Sequence, residues 1–349
     1  MWIFAAPAGA QSGSQVLLRP FRQTDQFELN ADLSYPFQTE TSNEDAAGNQ
    51  FDFRADVYEL SGRVRLAPGL NERGFARAQP RLGFGTRYIQ LHTGDPALPE
   101  EMFDGSMSVA LGVLSTGGWV GGVSFGAGYA GADFEEDANA PYLQSSFVVG
   151  KTFENGDAFG LVLEYNGNRT FLPDWPLPGF QYRKRLDPPQ RPPADPTDEG
   201  AELEGYDPEA DPARLVVALG FPFAGIEWRP TDRLRFELIY AIPEDLNARA
   251  DFTLIGNQQE SGLGLYASLG RTVTAVHWNE LPGNDRLFFR QSLAEAGLNW
   301  RLHDRLELVF AGGWAFRQKF ATGWDTRDTD DVADVDDAPY LRALVRLRL

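Results

Sequence analysis

The chain has 349 residues, no cysteine, and 50 acidic against 31 basic side chains, a formal net charge of -19. The missing cysteines remove disulfides and thiolate metal sites, and so acidic a chain disfavours nucleic-acid binding. No run of about 18 consecutive apolar residues occurs, which leaves no candidate for a transmembrane helix.

At the amino terminus, Trp2 to Ala6 is apolar, and Ala8-Gly9-Ala10 is a small-x-small site ahead of the polar stretch Gln11 to Gln15. This pattern predicts the remnant of a secretory signal peptide over residues 1–10, cleaved after Ala10. From Phe27 onward the apolar residues alternate with polar ones. Phe27, Leu29, Ala31, Leu33, Tyr35 and Phe37 are interleaved with Glu28, Asn30, Asp32 and Ser34. A period of two puts successive side chains on opposite faces of a strand, one apolar and one polar. The same alternation recurs at 51–66, 75–91, 106–114, 119–131, 142–153, 158–169, 214–229, 234–242, 246–256, 262–278, 287–302 and 306–317. In the second run the apolar phase slips near Val57 and Tyr58, which predicts a bulge. The last run, Leu341 to Leu349, sets Leu341, Ala343, Val345, Leu347 and Leu349 against Arg342, Arg346 and Arg348.

Each run of about ten residues is long enough to cross a bilayer core when tilted. Only closed barrels and helices can do so, because lipid offers the backbone no hydrogen-bond partner. The prediction is therefore an all-β, transmembrane, antiparallel up-and-down barrel of about 14 strands, or 12 without the two runs between 246 and 278, which Gly256 to Gly262 join. Residues 11–23 are expected to be a periplasmic lead-in and 24–349 a single barrel domain, with both termini periplasmic. Short connections (115–118, 154–157, 230–232, 303–304) alternate with long ones (38–50, 92–105, 131–141, 170–213, 321–338), the rhythm of short periplasmic turns and long outer loops. Tyr35, Trp228, Trp278, Trp300 and Trp314 fall near run ends, where an aromatic girdle meets the headgroups.

Charge is partitioned between loops and wall. Together with 279–285, the long loops hold 30 acidic and 5 basic residues, so the rest of the chain carries +6. Arg77, Arg81, Arg87, Arg233, Arg235, Arg249, Arg342, Arg346 and Arg348 fall on polar phases and are expected to face the lumen, since an arginine on the lipid face near the midplane costs about 2–4 kcal/mol. They fit two arrangements equally: a lattice with Glu237, Asp251 and other carboxylates that fills the interior, or a cationic ring that selects anions in a water-filled pore.

The segment 170–213 reads as a long, Pro-rich, acidic extracellular loop. Its basic triplet Arg183, Lys184 and Arg185 is a possible constriction folded back into the mouth. The acidic loop 325–337 offers Asp328, Asp330, Asp334 and Asp336 as weak divalent ligands, but it lacks the glycine and final glutamate of a helical calcium loop, and a solvated loop is the simpler reading. His92, His277 and His303 are the only histidines, and no motif ties a nucleophile to them, so the chain is read as non-catalytic. No cofactor is expected.

These alternating runs, the loop rhythm, the apolar carboxy terminus and the segment 220–234, GFPFAGIEWRPTDRL, resemble Gram-negative outer-membrane β-barrels of the porin-like superfamily, in particular its uncharacterised β-barrel porins. The resemblance covers nearly all of the chain after Gln15 and departs from the common terminal Phe at Leu349. It implies an outer-membrane location, contact with lipid and lipopolysaccharide, and recognition of Val345, Leu347 and Leu349 by the barrel-assembly machinery. It also implies passive passage of small solutes and hands over no catalytic residues. Two functions stay open: a diffusion channel with some anion preference, and a plugged structural or adhesion barrel with acidic surface loops. An outer-membrane hydrolase is a more distant third.

Overall fold

In a computed structural model, the structure describes residues 27–36, 39–45, 48, 50–66, 77–95, 98–114, 119–133, 140–153, 155–187, 214–241, 245–256, 261–281, 285–303 and 305–348. The expected signal peptide, the lead-in 11–23 and Leu349 lie outside the described residues, as do the side chains of Arg77 and Arg348.

The described chain is built from strands: β1 (Phe27–Pro36), β2 (Thr39–Asp45), β3 (Gln50–Arg65), β4 (Arg77–Thr93), β5 (Glu101–Leu114), β6 (Trp119–Ala132), β7 (Pro141–Thr152), β8 (Ala158–Asn166), β9 (Leu177–Arg185), β10 (Leu215–Phe221), β11 (Phe223–Thr231), β12 (Leu234–Ala241), β13 (Asp245–Gly256), β14 (Gly262–His277), β15 (Arg286–His303), β16 (Leu306–Asp325), β17 (Asp328–Val335) and β18 (Ala338–Arg348). Their registers close a barrel. Strand β1 pairs with β3, antiparallel neighbours follow in chain order from β3 to β16, β16 pairs with β18, and β18 returns to β1. Outside that circuit, β2 and β17 pair with each other and extend the wall above β3 and β16. Closure satisfies the edge groups that an open sheet would leave bare.

The two faces differ as the alternation predicts. Among the described side chains, outward positions form a belt of exposed apolar residues on strands spread around the wall, including Leu60, Met107, Phe125, Leu143, Leu219, Ile226, Leu238, Phe310 and Val345. Phe125 is 67% exposed in the middle of its strand. A water-facing sheet would bury such a side chain, at about 1.5–3 kcal/mol each, and a contiguous apolar surface of this size marks contact with lipid. Inward positions of the lower wall are mostly polar or small.

Three expectations change. Eighteen strands are described where the alternation gave about fourteen. Within the circuit the difference is β9, inside the segment read as loop 170–213, and the run 214–229, which Pro222 divides into β10 and β11 because proline offers no N–H to the ladder. An extra strand also reverses which end a connection leaves from. The tract 188–213 therefore departs from the end that holds the first residues of β1 and the last of β18, not from the end of the long acidic loops. Finally, no register shift accompanies the phase slip at Val57 and Tyr58. Above that point the apolar residues simply move from the outer face to the inner one.

The wall is uneven. Strands β14, β15 and β16 have 16, 18 and 20 residues, whereas β10 has 7 and β12 has 8.

Candidate functional site

The inner surface has two storeys. In the lower one, inward arginines meet carboxylates on the same strand, the next one or, for Arg342 and Glu295, the next but one. Arg87 Nε lies 3.3 Å from Glu59 Oε1, and Arg235 donates from Nε to Glu227 Oε1 at 3.0 Å and also bonds Glu237. Arg249 pairs with Asp251 at 2.7 Å. Glu307 is shared by Arg346 at 3.1 Å and Arg301 at 3.7 Å. Glu295 accepts from Tyr266 Oη at 3.0 Å, Ser268 Oγ at 3.3 Å, Tyr340 Oη at 2.9 Å and Arg342 Nη1 at 2.8 Å. Of the predicted lumen arginines, Arg87, Arg235, Arg249, Arg342 and Arg346 are thus inward and charge-compensated, which is the lattice rather than the bare ring. Arg81 is half-buried in the same phase of β4, and Arg233 stands exposed in the β11–β12 turn.

The upper storey is apolar. Phe51, Phe53, Ile89, Leu91, Met102, Val276, Leu287, Phe289 and Phe320 are buried inside the rim opposite the termini, with Trp278 and Val335 among them. Phe289 and Phe320 stack at 4.7 Å between ring centroids, and Phe53 meets Phe320 edge-on at 5.5 Å. Opposite walls touch here: His277 of β14 bridges to Gly131 of β6 in a parallel contact. The barrel is therefore pinched at this mouth.

A short segment between β8 and β9 crosses the pinch. Asn168 Nδ2 donates to Asp104 Oδ2 and to the Ala275 carbonyl, both at 3.2 Å. The Thr170 carbonyl accepts from Thr326 N at 3.0 Å, and the Arg327 guanidinium lies over the Phe171 ring at 4.8 Å. Leu172 and Asp174 take φ of 46° and 64°, the left-handed region that costs a residue with a Cβ. A loop held this way by contacts on β5, β14 and the β16–β17 turn is a lid.

The predicted constriction is elsewhere. Arg183, Lys184 and Arg185 belong to β9 at the termini end, with Lys184 bonded to Asp157 at 2.8 Å and Arg185 to Asp187 at 3.3 Å. Asp328, Asp330 and Asp334 lie on β17, where Lys319 bonds Asp331 and approaches Asp334 at 3.8 Å, and Asp336 follows it. Among the described residues no group of three or more His, Asp or Glu is placed to hold a metal ion. His92 lies on the outer face, with Nε2 2.8 Å from Arg54 Nη2 and 3.1 Å from Asp56 Oδ2. Sequence reasoning missed the lid, although Asn166-Gly167-Asn168 and Pro173 are turn signals within it.

Two turn carboxylates pin the termini end. Burial works to raise the Asp157 carboxyl, but hydrogen bonds from Lys184, the Arg185 backbone, Tyr182 and Asn155 outweigh it and hold the group below its ordinary value. Asp187 is likewise lowered: burial opposes, and the backbone N–H groups of Arg214 and Leu215 win. A lowered carboxylate adds stability above its unfolded pKa of about 3.9 and loses it as pH falls through the folded value. Denaturant midpoints in micelles should therefore fall between about pH 5 and pH 2, and the fall should be shallower in Asp157→Asn. An equal slope in both proteins would remove Asp157 from this role.

No protein-family description and no curated protein matches the chain. Solved structures do. An outer-membrane channel from Pseudomonas putida F1 is similar over 93% of this chain and 97% of its own, with 9% identity and a TM-score of 0.36. The TodX monoaromatic hydrocarbon channel, as a deletion mutant, covers 98% and 92% with 11% identity and a TM-score of 0.35. The β domain of the Bordetella autotransporter BrkA covers 93% and 100% with 12% identity and a TM-score of 0.32. At these identities and TM-scores the chemistry of the present chain rests on its own residues.

Proposed function

We propose that this chain is an outer-membrane barrel of the porin-like kind that works as a gated channel, shut in the described form at its apolar mouth. The exposed belt supports the membrane location. The observation that carries the gate is the Phe53, Phe289 and Phe320 cluster beneath the lid, set above a lower lumen whose Glu227 and Arg229 side chains each remain 27% exposed. An apolar constriction excludes ions by dewetting. Because Arg87, Arg235, Arg249, Arg301, Arg342 and Arg346 each have a carboxylate within 4 Å, the reading favours weak charge selectivity over the anion preference expected from a bare arginine ring.

The test is conductance in planar bilayers. The wild-type protein, refolded to a heat-modifiable form, should be silent or flicker at low voltage. A large steady conductance would make it an open porin and overturn the gate.

A further inference from the structure

We infer that the low side of the barrel, β8 to β12, is a self-association surface that a second copy of this chain covers. The inference rests on the membrane-barrel reading but not on the gate. Strands β8 and β9 have 9 residues, β10 has 7, β11 has 9 and β12 has 8. At about 3.3 Å per residue and a tilt of about 40–45°, a seven-residue strand rises only about 17 Å, against an apolar band of about 25 Å. The taller arc from β14 to β16 exceeds that band with 16 to 20 residues per strand.

The whole deficit sits at the mouth end. At the termini end the strands pair to their last residues: Thr152 with Ala158, Arg185 with Val216, Leu215 with Trp228, and Thr231 with Leu234. At the other end β10 and β11 stop at Phe221 and Phe223, level with Ala241 and Asp245. Phe180, Leu219, Ile226 and Leu238 are exposed along this arc, and its turn at Pro222 carries polar backbone into the depth that lipid chains would occupy.

Apolar surface alone does not draw two membrane walls together, because lipid tails cover it equally well. A short wall does, because every ångström of mismatch strains the adjoining lipid, and association is one way to relieve it. Here the mismatch is confined to one arc, so the contact has a direction. Two low arcs placed face to face remove the strained strip for both copies, which is a closed, two-fold arrangement.

The chain has no cysteine, so single-cysteine variants report contacts cleanly. Leu219→Cys and Leu238→Cys on the low arc, and Val109→Cys and Phe125→Cys on β5 and β6 as controls, would be oxidised in native membranes and in vesicles of short-chain and long-chain phosphatidylcholine. The expected result is a dimer band several times stronger for the low-arc variants, rising with lipid chain length. Low-arc variants that embed as heat-modifiable barrels but cross-link no more than the controls would overturn the proposal. So would cross-linking that ignores bilayer thickness. Variants found in the soluble fraction would instead count against the membrane reading itself.

Discussion

Replacing Phe289 and Phe320 together with alanine should turn a silent barrel into one with steady conductance in planar bilayers. Both rings are essentially unexposed and stacked on each other at the pinch, so their loss opens a hole bounded by Ile89, Met102 and Val276 rather than a hole in the wall. Each large-to-small change in a packed cluster costs about 3–5 kcal/mol, so the variant should also unfold at lower denaturant, and its heat-modifiable fraction must be recorded alongside the current. Phe310→Ala, which removes a ring from the outer belt, is the control and should stay silent. A folded double variant without conductance would mean that the stacked rings are not the barrier.

The second large effect is energetic. Glu295→Ala should destabilise the barrel by about 3–5 kcal/mol, the usual result of removing one member of a buried charged network. The carboxylate takes hydrogen bonds from Tyr266, Ser268, Tyr340 and Arg342, and its side chain is almost entirely enclosed. Deleting it takes this acceptor from two buried tyrosine hydroxyls and this counter-charge from Arg342, which offsets nothing in return. The contrast is Asp331→Ala. That carboxylate is 60% exposed beside Lys319, and its removal should shift the unfolding free energy by no more than about 1 kcal/mol. Equal effects at the two positions would show that the lumen lattice is as wet as the surface.

How much of this was legible before the coordinates follows from what a two-residue period can report. It reports the face of a strand: Phe310, on the apolar phase of the run 306–317, is exposed on the outer wall, and Arg87, Arg235 and Arg346, on polar phases, lie on the buried inner face. It does not report depth. The slip at Val57 and Tyr58 was visible, and a bulge was the wrong cause. Tyr58 and Leu60 face outward in the belt, whereas Phe51, Phe53 and Ala55 face inward at the mouth, because the apolar side changes where the wall leaves lipid and its interior closes. Register shifts among the described residues lie elsewhere, one of them at Arg317 of β16, with φ of 50°. That shift brings Gln318 and Phe320 inward after the odd-numbered series ending at Ala315.

The missing strand β9 was hidden by composition. Pro178, Gly179 and the basic run Arg183 to Arg185 look like a loop. Yet Phe180 and Tyr182 point out and Gln181 and Arg185 point in, a strand pattern too short to outweigh its proline-rich neighbours. The lid escaped for a different reason. Its hold on Asp104, Ala275 and Thr326 joins positions more than 60 residues apart, and no local pattern carries such a contact.

The clamp at Asp187 bears on how this chain tolerates change over generations. Its carboxylate accepts from Arg214 N at 2.9 Å and Leu215 N at 3.3 Å, and Leu186 N bonds the Leu215 carbonyl at 3.0 Å. Both ends of the tract 188–213 are therefore tied together at the foot of β9 and β10, whatever stands between them. That tract holds 8 acidic residues and 1 basic. Doubling such a closed loop costs only about 0.6 kcal/mol in closure entropy, so insertions, deletions and drift in composition there leave the register of the wall untouched. Sequence inserted between 188 and 213 should therefore leave the barrel's stability nearly unchanged, provided Asp187 is kept.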